Sequence, residues 1–159
     1  MENMVNNIDR TPYRCRTIIK EIDSFISEND KGQFAETRKH WYWNYMLHLC
    51  RLYDSNQIMI ERNNKGEIIN ICCWALVNKE DEKYINKVTW ELPKEISKGN
   101  NLYISICIIK EGNIFEFRRE FVKLFRDRVD EAFWFDINKN KFIRRKNILK
   151  EISHATSSI

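Results

Sequence analysis

The order of apolar segments in the second half of the chain constrains the fold more than any other feature. Leu102–Ile109 is an almost wholly apolar run typical of a buried strand, and Glu111-Gly112-Asn113 ends it. Apolar side chains at helical spacing then predict a helix over Ile114–Val129, and the aromatic run Ala132–Ile137 predicts another strand. A strand, turn, helix and strand within about 35 residues predict a βαβ unit with two parallel strands.

The first half of the chain predicts two helices. Thr11 followed by Pro12 is a helix-start signal, and apolar residues at helical spacing continue the helix to Asn29. A second run with the same period predicts a helix over Phe34–Tyr53.

A hairpin is predicted after these helices. Gln57–Arg62 and Ile68–Val77 have the composition of strands, and Asn63-Asn64-Lys65-Gly66 between them is a turn signal. Because Ile68–Val77 is nearly all apolar, we expect it in the centre of the sheet. The polar segment Asn78–Asn86 predicts one or two helical turns, and Val88–Leu92 predicts a short strand.

Together these elements predict an α/β (α+β mixed) domain with a central mixed, twisted sheet flanked by helices. Residues 11–146 form the single domain of this prediction, residues 1–10 a flexible N-terminus, and residues 147–159 a basic-led C-terminal tail or short helix. A length of 159 residues is usual for one domain, and a hydrophobic content of 43% is sufficient for a core.

The charge distribution limits the classes of partner. With 27 basic and 23 acidic residues, the net charge of +4 is too small to indicate nucleic-acid binding. Residues 139–150, however, contain six basic residues and no acidic one. This segment is either a solvated tail or helix start, or a docking patch for an acidic or phosphorylated partner, and both interpretations remain open.

The remaining composition indicates a cytoplasmic protein without metal. No apolar run approaches the ~20 residues that cross a bilayer, and the N-terminus lacks the apolar core of a signal peptide. The five cysteines are odd in number and have no zinc-site spacing, which favours a reducing compartment. Cys72 and Cys73 are adjacent in a predicted strand, so we expect one to face each side of the sheet as a core residue.

Two candidate functional features come from the residues themselves. The turn from Lys110 to Ile114, with Gly112 and Asn113, precedes a predicted helix whose N-terminal N–H groups could hold a phosphate. An ordinary βα turn is the alternative, and the carboxylate of Glu111 would repel a phosphate. His40 could act as a general base near neutral pH, or it could be a packed or surface histidine beside an aromatic residue.

Four segments occur in the order seen in a known enzyme family. They are Cys72-Cys73-Trp74-Ala75, Tyr84-Ile85-Asn86-Lys87-Val88-Thr89, Lys98-Gly99-Asn100-Asn101-Leu102-Tyr103 and Phe135-Asp136. In these segments the chain resembles the RTX toxin-activating lysine acyltransferases, whose fold is similar to that of the GNAT acetyltransferases. The resemblance extends over residues 34–146.

This resemblance implies a cytoplasmic homodimeric acyltransferase. The donor would be an acyl-CoA or an acyl carrier protein, and the acceptor a protein lysine. The turn at Gly112, Asn113 and Ile114 would hold the donor, the strand around Ser105 and Cys107 would hold the thioester, and His40 would be the base. The basic segment 139–150 would dock the acidic carrier protein.

The family's catalytic pair is not kept at the matching positions. The histidine position falls on Thr37 or Arg38, and the aspartate position falls on Ile106, which cannot orient an imidazole. The alternative hypothesis is therefore a catalytically degenerate binding or assembly protein with the same fold. The composition, rich in Lys, Asn and Ile, would suit a protein of a phage or other mobile element.

Overall fold

The computed structural model describes residues 17–30, 32, 34–125 and 128–146. Within them are four α-helices, with α1 at 17–29, α2 at Ala35–His40, α3 at Tyr42–Asp54 and α4 at Ile114–Lys123. The five strands are β1 (Ile58–Arg62), β2 (Ile68–Val77), β3 (Asn101–Ile109), β4 (Glu131–Asp136) and β5 (Lys141–Lys146). A 3₁₀ helix covers Lys79–Tyr84. The predicted start of the first helix at Thr11, residues 1–10 and residues 147–159 lie outside the described residues.

The strands form one mixed sheet in the order β1-β2-β3-β4-β5. Only β3 and β4 are parallel, and α4 connects them, which confirms the predicted βαβ unit. β2 is buried along its whole length in the interior of the sheet, also as predicted, because its residues are apolar on both faces.

Each face of the sheet has its own hydrophobic core. On the first face, α1 and α3 pack against the side of β2 that carries Cys73. On the second face, α4 packs Phe117 and Phe121 against the side that carries Cys72 and Trp74. The predictions of helices on both faces, and of one cysteine on each face, are therefore confirmed.

The boundaries of three predicted elements are wrong. The helix expected over Phe34–Tyr53 is divided at Trp41, whose ψ of 42° is not helical. Val88–Leu92 is not a strand, because Trp90 adopts a φ of 62° that no extended segment allows. α4 ends at Lys123 rather than Val129.

The basic segment is also corrected. Its described part is neither a tail nor a helix start, because Lys141–Lys146 forms the edge strand β5 against β4. Phe142 packs against Phe133 and Phe135, and Arg144 forms ion pairs with Glu82 and Glu131. These contacts hold a charged segment in the sheet although its composition does not favour a strand.

Gly99 fixes the connection into β3. A Cβ at this position would overlap the backbone of Val77, so only glycine allows the segment before β3 to lie this close to the end of β2. Among the described residues, none of the helices has the length and apolar content needed to cross a membrane.

Candidate functional site

The parallel strands β3 and β4 are paired over only a short stretch. Residues 101–103 of β3 lie opposite residues 131–133 of β4, and the strands separate beyond them. A cavity of about 610 Å³ lies in this opening, between residues 104–109 of β3 and residues 134–138 at the end of β4. A volume of this size is typical of small-molecule sites.

The cavity lining is mainly apolar. α4 contributes Ile114, Phe117 and Phe121 from one face of the sheet, and Phe34 and Trp90 line it on the other. The polar lining residues on that other face are Asp30, Arg38 and Ser105. The cavity is therefore suited to an apolar ligand with a polar group near Ser105.

A β-bulge places Ser105 at this opening. Cys73 of β2 lies opposite Ile106, and Trp74 lies opposite Ile104, so Ser105 has no opposite residue in β2. Such bulges locally reorient side chains and are frequent beside active sites. Here the bulge directs the Ser105 side chain toward α3.

His48 of α3 meets Ser105 in a buried hydrogen-bonded chain. Its Nε2 lies 2.5 Å from the Ser105 hydroxyl oxygen, and its Nδ1 lies 3.1 Å from the carbonyl oxygen of Trp90. A carbonyl oxygen only accepts hydrogen bonds, so Nδ1 carries the proton and Nε2 presents its lone pair. The Ser105 hydroxyl must then donate to His48.

The Trp90 carbonyl is aimed at His48 by an unusual backbone conformation. The φ of 62° at Trp90 lies in the left-handed region, which a bulky residue adopts only when its surroundings impose it. The Trp90 ring contacts the rings of Phe34, Tyr45 and His48, and these contacts hold the residue in place.

Lys87 is a buried amine beside the same serine. Its Nζ donates to the Ser105 carbonyl oxygen at 2.6 Å and lies 4.1 Å from the ring centroid of Phe34 and 4.6 Å from that of Trp90. Burial lowers the pKa of Lys87 to about 7, although Cys73 and Asp30 act in the opposite direction. The amine is therefore partly neutral near pH 7.

Burial also keeps His48 neutral. Desolvation, together with the nearby charges of Lys87 and Arg51, lowers the pKa of His48 to about 3, against the effect of the Trp90 hydrogen bond. At neutral pH the imidazole is thus neutral and accepts a hydrogen bond from the Ser105 hydroxyl.

The turn after β3 has a different character, because Asn70 closes it from β2. The Asn70 side-chain oxygen accepts from the N–H groups of Lys110 and Glu111, and its amide donates to the Glu111 carbonyl and to the Glu61 carboxylate. Two backbone amides of the predicted phosphate site therefore already donate to Asn70, and the carboxylate of Glu61 lies beside the turn. These contacts disfavour a phosphate there.

Gly112 and Asn113 complete this turn. Gly112 has a φ of 88°, which favours glycine, and the Asn113 side chain caps α4 by accepting from the N–H of Phe115. Neither residue lines the cavity, whereas the neighbouring Ile114 does.

Cys107 lies on the α4 side of the cavity. It is exposed, and its pKa is lowered by the thiol hydrogen bond from Cys72 and by the charge of Arg118. The pKa of its buried partner Cys72 is raised by the same hydrogen bond and by desolvation.

The structure separates the predicted site residues into three locations. Ser105, Cys107 and Ile114 line the cavity, and Gly112 and Asn113 form the adjoining turn. His40 is exposed at the end of α2, with its ring 5.5 Å from that of Trp41, and is not part of the lining.

Two residues of the polar cluster were not selected from the sequence. His48 lies on the apolar face of an amphipathic helix and Lys87 in a polar segment, and neither position shows a link to Ser105. An isolated histidine on an apolar helix face is the one signal that could have directed attention to His48.

No protein-family model matches this chain, and no curated protein matches it either. Within the described residues, no group of three or more His, Cys, Asp or Glu side chains could hold a metal ion. The case for a function therefore rests on the cavity and the polar cluster.

Proposed function

We propose that this chain is a GNAT-like acyltransferase that moves an acyl group from a thioester donor to a primary amine, namely a protein lysine. The observation that carries the proposal is the separation of β3 from β4 around a largely apolar cavity of about 610 Å³. An acyl chain needs such an apolar site, and the thioester at the end of the chain would lie beside the polar residue Ser105.

The open edge of β3 supports the binding of a donor arm. Residues 104–109 have no register partners in β4, so the backbone groups on that side of β3 face the cavity region. A pantetheine arm contains amide groups, and it can hydrogen-bond to a strand edge in the manner of an added strand. A backbone N–H at this edge would also stabilise the oxyanion that forms on the thioester.

The charges around the site favour an acyl carrier protein over acyl-CoA as the donor. Glu61 and the engaged amides of Lys110 and Glu111 disfavour the pyrophosphate of CoA at the turn. Lys141 and Arg145 are exposed on β5, the neighbour of the cavity-lining strand β4. An acidic carrier protein docked on β5 would place its arm near the opening.

A second candidate function is supported by an exposed apolar patch at the start of α3. Trp41, Tyr42, Trp43 and Leu47 are all exposed there, and the side chain of Trp43 is 82% accessible. Such a patch indicates a protein contact, which would suit a non-catalytic binding protein and also the predicted homodimer.

Donor binding is tested by thermal shift with free CoA, acetyl-CoA, octanoyl-CoA and octanoyl-loaded acyl carrier protein. We expect the largest shift with the loaded carrier protein. Lys141→Glu with Arg145→Glu should abolish that shift, whereas Lys65→Glu, at the exposed β1–β2 turn, should preserve it. Octanoyl transfer to a lysine-containing peptide is then followed by mass spectrometry. Binding without any transfer would favour the non-catalytic binding protein. The absence of both binding and transfer would contradict the acyltransferase.

A further inference from the structure

The buried chain of Ser105, His48 and the Trp90 carbonyl has the geometry of an activated nucleophile. A nucleophilic hydroxyl needs a base within hydrogen-bond reach, and that base needs a third group to orient it. Ser105 and His48 Nε2 are 2.5 Å apart, and the Trp90 carbonyl oxygen fixes Nδ1 from 3.1 Å. We propose that Ser105 is a covalent catalytic residue that carries the acyl group as an ester, with His48 as its general base.

Two further observations connect this chain of groups to a ligand. Ser105 and Trp90 both line the cavity, so these two residues lie at the boundary between the cluster and the opening. The side-chain nitrogens Arg38 Nε and Trp90 Nε1 are buried without hydrogen-bond partners among the described residues, and both residues line the cavity. Buried donors without a partner are costly, and an acyl carbonyl oxygen is an acceptor of the type they require.

The bulge and two neighbouring residues, Lys87 and Trp90, position the groups around Ser105. The bulge releases Ser105 from pairing with β2, Lys87 binds its carbonyl oxygen, and the φ of 62° at Trp90 aims the orienting carbonyl. Strain at a residue that orients a base is typical of functional sites. Trp90 and Lys87 are positioning residues in this scheme.

The proposed step, which rests on the proposed acyltransferase function, balances without a further reactant. The Ser105 oxygen attacks the thioester carbonyl carbon while its proton passes to His48 Nε2. The tetrahedral intermediate collapses, the carbon–sulfur bond breaks, and the thiolate leaves as a thiol with the proton from His48. A primary amine then attacks the Ser105 ester, His48 takes its proton and returns it to the serine oxygen, and an amide is released.

The test incubates the 159-residue protein with octanoyl-N-acetylcysteamine, a thioester that carries neither CoA nor a carrier protein. Intact mass spectrometry should show one octanoyl adduct, and peptide mapping should place it on Ser105. Ser105→Ala should lose the adduct, and Ser55→Ala, at the end of α3 outside the cavity lining, should keep it. His48→Gln should form the adduct about 10²–10⁴-fold more slowly.

Two further readouts keep the proposal falsifiable if a variant folds poorly. Ser105→Cys should form a thioester adduct that neutral hydroxylamine removes, and the wild-type ester should resist that treatment. Circular dichroism melting checks that each variant is folded.

The outcomes separate this inference from the proposed function. Octanoyl transfer to a lysine peptide at an unchanged rate in folded Ser105→Ala would overturn the covalent step and leave the acyltransferase standing. A Ser105 adduct without transfer to the amine would support the nucleophile and count against lysine as the acceptor. An adduct on Cys107 alone, or no adduct and no transfer, would overturn the inference.

Discussion

Two polar clusters lie along the second half of β3, and they differ in how their hydrogen bonds are used. At the turn, the Asn70 side chain bonds the backbone N–H groups of Lys110 and Glu111 and the carbonyl of Glu111, so these groups are used to fix the turn to β2. At the bulge, His48 and Lys87 form hydrogen bonds with Ser105, and burial lowers the pKa of both side chains. The glycine turn before α4 is therefore a structural closure, whereas the bulge in β3 holds buried polar side chains beside the cavity.

The largest expected effect is on acyl transfer through the bulge cluster. His48→Gln should lower the rate of octanoyl transfer by about 10²–10⁴-fold, because it removes the general base that we propose for Ser105. The rate is measured with a lysine peptide and a saturating donor. Loss of activity in His40→Ala, with full activity in folded His48→Gln, would instead assign the base role to His40.

The next largest effect is a pH dependence of stability from the same cluster. The pKa of Lys87 is about 7 in the folded protein and 10.5 when unperturbed, so the unfolded chain binds more protons between these values. The contribution of Lys87 to stability should therefore rise with pH from about 7 toward 10.5, by at most about 1.4 kcal/mol per pH unit. Urea unfolding at pH 7, 8 and 9 measures this slope.

Lys87→Met should flatten that slope, and Lys98→Met, at an exposed position, should not. The acid side follows the same rule for His48, whose pKa falls from 6.5 to about 3 on folding. Stability should decrease as the pH falls from 6.5 toward 3, since the unfolded chain again binds more protons. Equal slopes for wild type and Lys87→Met between pH 7 and 9 would contradict the burial of this amine.

An intermediate effect on stability is expected at the turn cluster. Asn70→Ala removes a fully buried side chain and leaves the part-buried N–H groups of Lys110 and Glu111 without their partner, so it should lower the free energy of unfolding by about 1–3 kcal/mol. Asn63→Ala is the matched control, because Asn63 also accepts from two backbone N–H groups, but in an exposed turn where water can replace it. Equal losses in the two variants would show that the Asn70 closure has no special role.

The smallest effect is expected at the start of α4. Asn113→Ala removes the side-chain cap on the N–H of Phe115 and should cost about 1 kcal/mol in urea unfolding. Asn113→Asp retains an accepting oxygen and should lose little. A large loss of donor binding in Asn113→Ala, with the fold intact, would restore the turn as a ligand site.

The fold could be predicted from the sequence to the extent that it depends on local apolar periodicity. β2 and the βαβ unit were predictable because their apolar runs and the turn at Gly112 are local signals. β5 was not, because its basic composition has no strand signal and its distant contacts, Phe142 with Tyr103 and Arg144 with Glu82, are not visible in the local sequence.

The site could be predicted only in part. Ser105 and Cys107 were selected through the family resemblance, and both line the cavity. The partnership of Ser105 with His48 spans 57 residues and depends on a bulge and on the backbone of Trp90, none of which has a local signal. The phosphate site at the turn was predicted from neighbouring residues alone. Asn70, which accepts hydrogen bonds from the amides of this turn, lies on another strand and has no local signal.

The most direct test of the account is the tautomer of His48 in solution. Long-range ¹H–¹⁵N correlation spectra of the wild type, assigned by comparison with His48→Gln, report which ring nitrogen carries the proton. Between pH 6 and 8 we expect a neutral imidazole protonated at Nδ1, with an Nε2 that accepts from Ser105. A proton on Nε2 would make the imidazole a donor to Ser105, and a serine held in that way could not be activated by His48.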